Sequence, residues 1–286
     1  MSDPAIAVLP YGDHLDAGFG DRPLSELNWP LGCPERLHGK FVRDLASSDH
    51  LIVYPEKKTH FKLKWHCPAH VSMMVVEPNV IHGRHLQILR FSHRRFFRVF
   101  SYDQDFLSRI PNGIFLPFGT TWVSQWRDLD IKKTSNVSLI ASDKRKYTGH
   151  KLRHELVDFV RAEHPEVEVM GRGYTPFENK WDGLVPFRYS VVIENVQQRN
   201  YFTEKLNDAI LCECVPIYWG CPNIGDFMDT SGMVICNTEA EMREAIRSAS
   251  PDDYLRRLPA LKAIKETASE FGFLEERAAK ELLASL

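Results

Sequence analysis

The sequence predicts an α/β chain built on parallel sheets, and three observations carry that expectation. Short apolar segments rich in β-branched residues alternate with segments of helical spacing along most of the chain. Residues 189–219 read as a complete strand–helix–strand unit, and such units close right-handed into parallel sheets. The 286 residues, 43% hydrophobic and 26% charged, allow one large or two ordinary domains with cores of their own.

The elements follow in order. Residues 5–9, 51–54 and 71–76 are apolar runs of strand length, and the third ends at Glu77-Pro78-Asn79, a turn through which Pro78 forbids the strand to continue. Between the first two, residues 12–36 are rich in Gly, Pro and Asp and predict a long irregular loop. Residues 96–102 and 113–116 are further strands, separated by a short helix that ends at Pro111. Residues 121–135 turn polar and charged before a fresh strand. The expected domains are therefore 1–135 and 136–286, with the last helix able to pack back on the first.

The second half predicts a strand over 137–141, a basic loop, a helix over about 150–163 and a strand over 167–170. Then comes the strand 189–193, stopped by Glu194-Asn195. Thr203 is the expected N-cap of a helix over 204–212 whose buried face is Leu206, Ile210 and Leu211. The strand 215–219 closes the unit at the turn Gly220-Cys221-Pro222-Asn223. Residues 251–286 show the spacing of packing helices.

Chemistry concentrates at the start of the 204–212 helix. Lys205 sits in its first turn, where the macrodipole disfavours a cation by roughly 0.3 to 1 kcal/mol. A phosphate docked on the helix N-terminus would offset that cost, and Glu204 beside it could accept two vicinal ribose hydroxyls. An acid in a first turn also has a purely structural explanation through the dipole. Lys144, Arg145, Lys146, Lys151 and Arg153 crowd the loop and first turns of the earlier helix, which is either a solvated basic face or an anion site.

The series Glu194-Asn195, Tyr201, Thr203-Glu204-Lys205, Val215-Pro216-Ile217-Tyr218-Trp219-Gly220 and Pro222 resembles the donor-binding half of the family 10 glycosyltransferases, the α1,3/4-fucosyltransferases, and most closely their soluble bacterial members. The resemblance covers some forty residues densely. It implies two Rossmann-like domains facing across a cleft, a GT-B type fold, with GDP-fucose held by the C-terminal domain. Carried over residue by residue, it places the donor contacts on Asn195, Tyr201, Glu204 and Lys205, and a diphosphate-gripping arginine on Arg153.

The same resemblance implies transfer of the sugar to a glycan acceptor with inversion and with no metal or other cofactor required. An acceptor hydroxyl must lose its proton, which asks for a carboxylate, and Glu77 at a strand tip is the candidate general base. Asp103 and Asp105 are the reserves. Two other readings stay open: a transferase using another GDP-sugar, and a non-catalytic nucleotide- or metal-binding protein.

Composition sets limits on partners. A formal net charge of −2 argues against a generic nucleic-acid binder. No run of 18 apolar residues and no signal-like N-terminus is present, so a cytoplasmic protein without a transmembrane segment is expected. The six cysteines are expected reduced. His60, His66, Cys67, His70 and Cys33 could form a zinc site, but His66 and Cys67 are adjacent and would point apart on a strand. Asp128-Leu129-Asp130 resembles a manganese-binding D-x-D, and its place in a polar linker makes surface charge the expectation. Acceptor and oligomeric state are not encoded legibly.

Overall fold

The structure, a computed structural model, describes residues 4–61 and 66–286. The chain divides into two compact units, one of residues 1–118 with 274–286 and one of residues 119–273.

The first unit holds β1 (Ile6–Val8), β2 (His50–Val53), β3 (His70–Val75), α1 (Asn79–Ser92), β4 (Val99–Ser101), α2 (Gln104–Leu107) and β5 (Gly113–Phe115). Its five strands are parallel and lie in chain order. The period-2 alternation of strand side chains splits the core in two. Ala7, Leu51, Val53, Met73, Val75 and Val99 face one layer, while Ile6, Val8, Ile52, Met74 and Phe100 face the other. The irregular stretch after β1 folds into 3₁₀ turns, and Asn28 exchanges both backbone hydrogen bonds with Val8. It thereby occupies the outer edge of β1, an edge that would otherwise offer unpaired N–H and C=O groups.

The second unit holds β6 (Ser135–Ile140), α3 (Thr148–Glu163), β7 (Glu168–Met170), β8 (Phe187–Ile193), α4 (Glu204–Leu211), β9 (Val215–Trp219), β10 (Val234–Ile235), α5 (Glu239–Ser248), α6 (Pro251–Ala263) and α7 (Lys265–Gly272). All its strand pairs are parallel, in the order β10-β9-β8-β6-β7. The chain leaves β6 toward β7 on one side and returns with β8 on the other. That reversal opens a crevice at the carboxyl ends of β6 and β8, the place where open α/β sheets receive ligands.

The last helix, α8 (Leu274–Ala284), belongs to the first unit. Its Leu274, Ala278, Ala279 and Leu282, spaced at three and four, form the stripe that covers Ile6, Val8, Ile52 and Met74. The boundary between units falls at residues 118/119 and not at residue 135. Polar composition suggested a linker, but the segment is tied down within the second unit. Trp126 Nε1 donates to Ser269 Oγ at 3.1 Å, Lys133 Nζ donates to the Cys212 carbonyl at 2.6 Å, and the Val123 and Trp126 side chains lie in that unit's core.

Candidate functional site

In the second unit the expected donor-site residues converge. Strand β8 ends at Ile193, so Glu194 and Asn195 emerge at its carboxyl tip, and α3 begins directly beside them. The approach is close: Gly149 N donates to the Asn195 carbonyl at 3.0 Å, and a Cβ on Gly149 would lie 1.7 Å from the Glu194 carbonyl oxygen. Only glycine fits. Gly220 is under the same constraint, since a Cβ there would meet the Tyr218 hydroxyl at 2.4 Å and Glu194 Cγ at 2.6 Å.

Arg153, one turn into α3, is buried. Its Nε donates to the Ile193 carbonyl at 3.2 Å and Nη2 shares that carbonyl at 2.5 Å, with Asn195 Oδ1 at 3.3 Å. Burial lowers its pKa, with Glu194, Glu204 and Tyr201 working the other way, and a guanidinium still keeps its charge. The sequence expected Arg153 to grip a ligand directly. The structure shows it tying the carboxyl end of β8 to α3.

Helix α4 starts as expected. Thr203 is its N-cap, accepting from Lys205 N at 3.3 Å. Glu194 is wholly buried and accepts from Thr203 N at 2.7 Å and Thr203 Oγ1 at 2.8 Å. Lys205 Nζ reaches Thr203 Oγ1 at 3.0 Å, Glu204 Oε1 at 3.0 Å and Glu194 Oε2 at 3.5 Å. Burial penalises the Lys205 ammonium, yet Glu204 and Glu194 outweigh it and raise its pKa, so it stays charged. For Glu204 burial is likewise outweighed, by Lys205 and Lys180, and its pKa is lowered. Glu194 goes the other way, raised by burial that Lys205 only partly counters. Lys205, Glu204 and Asn195 remain partly exposed, whereas Tyr201 is almost fully buried and enters the site as part of its wall.

Three members of the cluster escaped the sequence reading. Lys180 comes from a 3₁₀ turn, Lys180–Gly183, and its ammonium stands 5.5 Å from the centre of the Trp122 ring. Burial lowers its pKa against the pull of Asp208 and Glu204, and Lys205 and Arg153 add to the lowering. His150 is buried and pushed down to about 4 by burial and then by Arg153, so it is neutral and serves as a hydrogen-bonding partner of Asn195. Nothing in the sequence around Lys180 marked it except the Asn179 to Asp182 capping pair that starts its turn. Lys144, Arg145, Lys146 and Lys151 are exposed, as a solvated basic face would be.

Asp208, also unanticipated, is fully buried on α4. Its Oδ1 accepts from Thr121 Oγ1 at 2.7 Å and Trp122 N at 3.0 Å, while Oδ2 has no partner among the described residues. Burial raises its pKa from 3.8 to about 7, with the Thr121 bond opposing. Between those two values the folded chain holds a proton that the unfolded chain has released, so stability falls as pH rises through that window, by on the order of 4 kcal/mol if this group acted alone. Asp208→Asn keeps the Oδ1 acceptor and removes the titration. Urea midpoints of the two proteins should therefore diverge between about pH 4 and pH 7 in favour of the variant. Parallel curves would show that Asp208 is not the strained acid described.

In the first unit, Glu77 stands just past β3 at its carboxyl end and before Pro78, the N-cap of α1. Tyr11 Oη donates to Glu77 Oε1 at 3.2 Å, Tyr102 Oη donates to the Glu77 carbonyl at 2.9 Å, and Glu77 N donates to His82 Nδ1 at 3.2 Å. Tyr11 is pushed up to about 12 by burial and by the Glu77 charge. Asp103 is committed elsewhere, as the N-cap of α2 accepting from Phe106 N at 2.9 Å. Asp105 lies exposed in the first turn of the same helix.

The zinc candidates do not converge. His60 bonds to Ser92 and to His85, the latter at 2.9 Å, while His70 stacks on Phe97. Among the described residues no group of three or more His, Cys, Asp and Glu is placed to hold a metal ion. Asp130 pairs with Lys132 on the surface, and Asp128 belongs to a 3₁₀ turn. The six cysteines are free thiols. Among the described residues no helix is long and apolar enough to cross a membrane.

No protein-family model matches the chain. Over 81 residues, 28% of this chain and 16% of the relative, it is 31% identical to the α-(1,3)-fucosyltransferase FucT of Helicobacter pylori. The chain thus spans only a small part of that relative's length. In fold it is similar to the crystal structure of an α1,3-fucosyltransferase with GDP-fucose, at 18% identity and a TM-score of 0.52, covering 89% of this chain and 81% of that one. It is also similar to TarM, at 11% identity and a TM-score of 0.55, covering 83% of this chain and 55% of that one. In local sequence and in architecture the chain resembles the family 10 α1,3-fucosyltransferases, and its two Rossmann-like α/β units give it a fold of the GT-B type.

Proposed function

We propose that the chain is an inverting glycosyltransferase that moves fucose from GDP-fucose to a hydroxyl of a glycan acceptor. The observation that carries this reading is the meeting of Arg153, Lys205, Glu204 and Asn195 at the switch point of the second sheet. Lys205 is charged, Arg153 is charged, and Lys180 is a third basic group whose protonated form a bound anion would favour. Such a site asks for a diphosphate. Glu204 beside Lys205 offers an acceptor for sugar hydroxyls.

The reaction follows from these groups. An acceptor oxygen attacks the anomeric carbon and gives its proton to Glu77, while the bond from that carbon to the phosphate oxygen breaks and its electron pair leaves with GDP. Arg153 and Lys205 stabilise the charge that builds on the departing diphosphate, as preorganised cations do for a developing oxyanion. The local sequence likeness to the Helicobacter pylori fucosyltransferase supports the choice of donor.

The test is calorimetric titration of GDP-fucose, GDP-mannose and a UDP-sugar into the purified chain, followed by transfer assays with whichever binds. GDP-fucose should bind best, and Lys205→Ala should lower its turnover about 100-fold. Equal affinity for the UDP-sugar, or an unimpaired Lys205→Ala enzyme, would remove the basis of the assignment.

A further inference from the structure

The first unit carries a polar groove at the end of its sheet opposite Glu77. A groove of about 700 Å³ opens where β3 and β4 begin, lined by Arg43, His66, His70, Arg94, Arg95 and Phe97 among others, and among the described residues no carboxylate lines it. Glu77 lies at the opposite end of β3, roughly 20 Å away at about 3.3 Å per strand residue. The groove is therefore separate from the strand tip that holds the proposed base.

Three arginines on one groove need a reason. Arg94 and Arg95 follow the last turn of α1, where the helix dipole favours cations, and that accounts for them in part. It does not account for Arg43, which comes from a distant 3₁₀ turn, Val42–Asp44, and is half exposed beside its surface partner Asp21. Arg94 is exposed and meets no acid among the described residues. Asp49, the acid whose charge reaches Cys67 in the groove wall, is fully buried and bonded by two nitrogens of Arg36. The charge that Arg94 brings to the groove is thus left uncompensated among the described residues.

The imidazole of His70 lies against an aromatic neighbour. It stacks on Phe97 at 4.7 Å, and Phe97 is held in turn by the Arg98 guanidinium 4.4 Å from its ring centre. Arg98 is anchored by Ser285, whose carbonyl accepts from Nη2 at 2.7 Å. Planar guanidinium forks beside a stacked imidazole suit carboxylate or phosphate groups, which they can meet with two hydrogen bonds at once. A cavity of this volume exceeds what a lone inorganic anion fills and matches a small-molecule ligand.

We propose that this groove binds an acidic saccharide, holding the anionic groups of a glycan at a site remote from Glu77. The anion site stands on the groove's own geometry; the choice of a saccharide rests on the glycosyltransferase reading.

The test titrates trigalacturonate, neutral maltotriose and inorganic phosphate into the full chain at low and at physiological salt, for the wild type, Arg94→Glu and Arg94→Gln. Trigalacturonate should bind, more weakly as salt rises, and maltotriose should not. Arg94→Glu should weaken trigalacturonate at least about tenfold, and Arg94→Gln less, with GDP affinity unchanged in both. No binding of trigalacturonate, equal binding of maltotriose, or indifference to Arg94→Glu overturns the proposal. Phosphate binding as tightly as trigalacturonate overturns the saccharide. Loss of GDP binding by the wild type with the trigalacturonate results intact would defeat the fucosyltransferase reading and leave the anion site standing.

Discussion

Replacing Glu77 by glutamine is expected to lower the turnover of fucosyl transfer by about 10² to 10⁴, the range in which a general base contributes, while leaving the affinity for GDP-fucose unchanged. Glutamine is nearly isosteric and retains an acceptor for the Tyr11 hydroxyl, and the bonds from Tyr102 and to His82 use backbone atoms of residue 77. The loss would then report proton transfer and not local collapse. Asp103→Asn is the matched control. Asparagine caps a helix as well as aspartate does, so α2 should persist and activity should stay within a few-fold. A Glu77→Gln enzyme with wild-type turnover would place the base on another residue.

The second unit was largely legible because its signals are local. An apolar run, an N-cap threonine and a turn built from Gly and Pro define β8, α4 and β9 with no help from distant residues, and β6 and α3 fell within two residues of their expected limits. Helix α1 is a different case. Its buried stripe is His82, Leu86 and Leu89, and a histidine in a core position beside Gly83 blurs the apolar period that would announce a helix. Helix α5 buries only Met242 and Ile246, although the Thr238 and Glu241 capping box that starts it can be read directly. The unit boundary misled because polar composition says nothing about partners: Thr121 and Trp122 are bound to Asp208, 87 and 86 residues away along the chain.

The site divides along the same line. Glu204 and Lys205 are neighbours in sequence, so their pairing could be anticipated. Lys180, His150 and Asp208 join them only because the sheet order sets the 3₁₀ turn, α3 and α4 against one another. The bond from Arg153 to the Ile193 carbonyl could not be anticipated, since that contact exists only once α3 packs on β8.

The deepest support of the cluster is Glu194, and its removal should have the largest effect on stability. In Glu194→Ala, Thr203 N and Thr203 Oγ1 lose a buried acceptor, and Lys205 keeps Glu204 as its one carboxylate neighbour among the described residues. Each buried donor left without an acceptor costs about 1 to 3 kcal/mol, and Thr203 N–H and Oγ1–H are both stranded while Lys205 keeps only Glu204 among the described carboxylates. The urea midpoint should fall accordingly, and GDP affinity should fall with it, since Lys205 would no longer be held against the α4 N-cap. Glu194→Gln separates shape from charge. It fills the same space and can accept from Thr203 N, but it presents either an amide or a carbonyl, without charge, to Lys205. It should recover most of the stability and little of the GDP affinity. If Glu194→Ala unfolds within about 1 kcal/mol of the wild type, the carboxylate is a bystander, and the ordering of Lys205 must come from Glu204 and Thr203 alone.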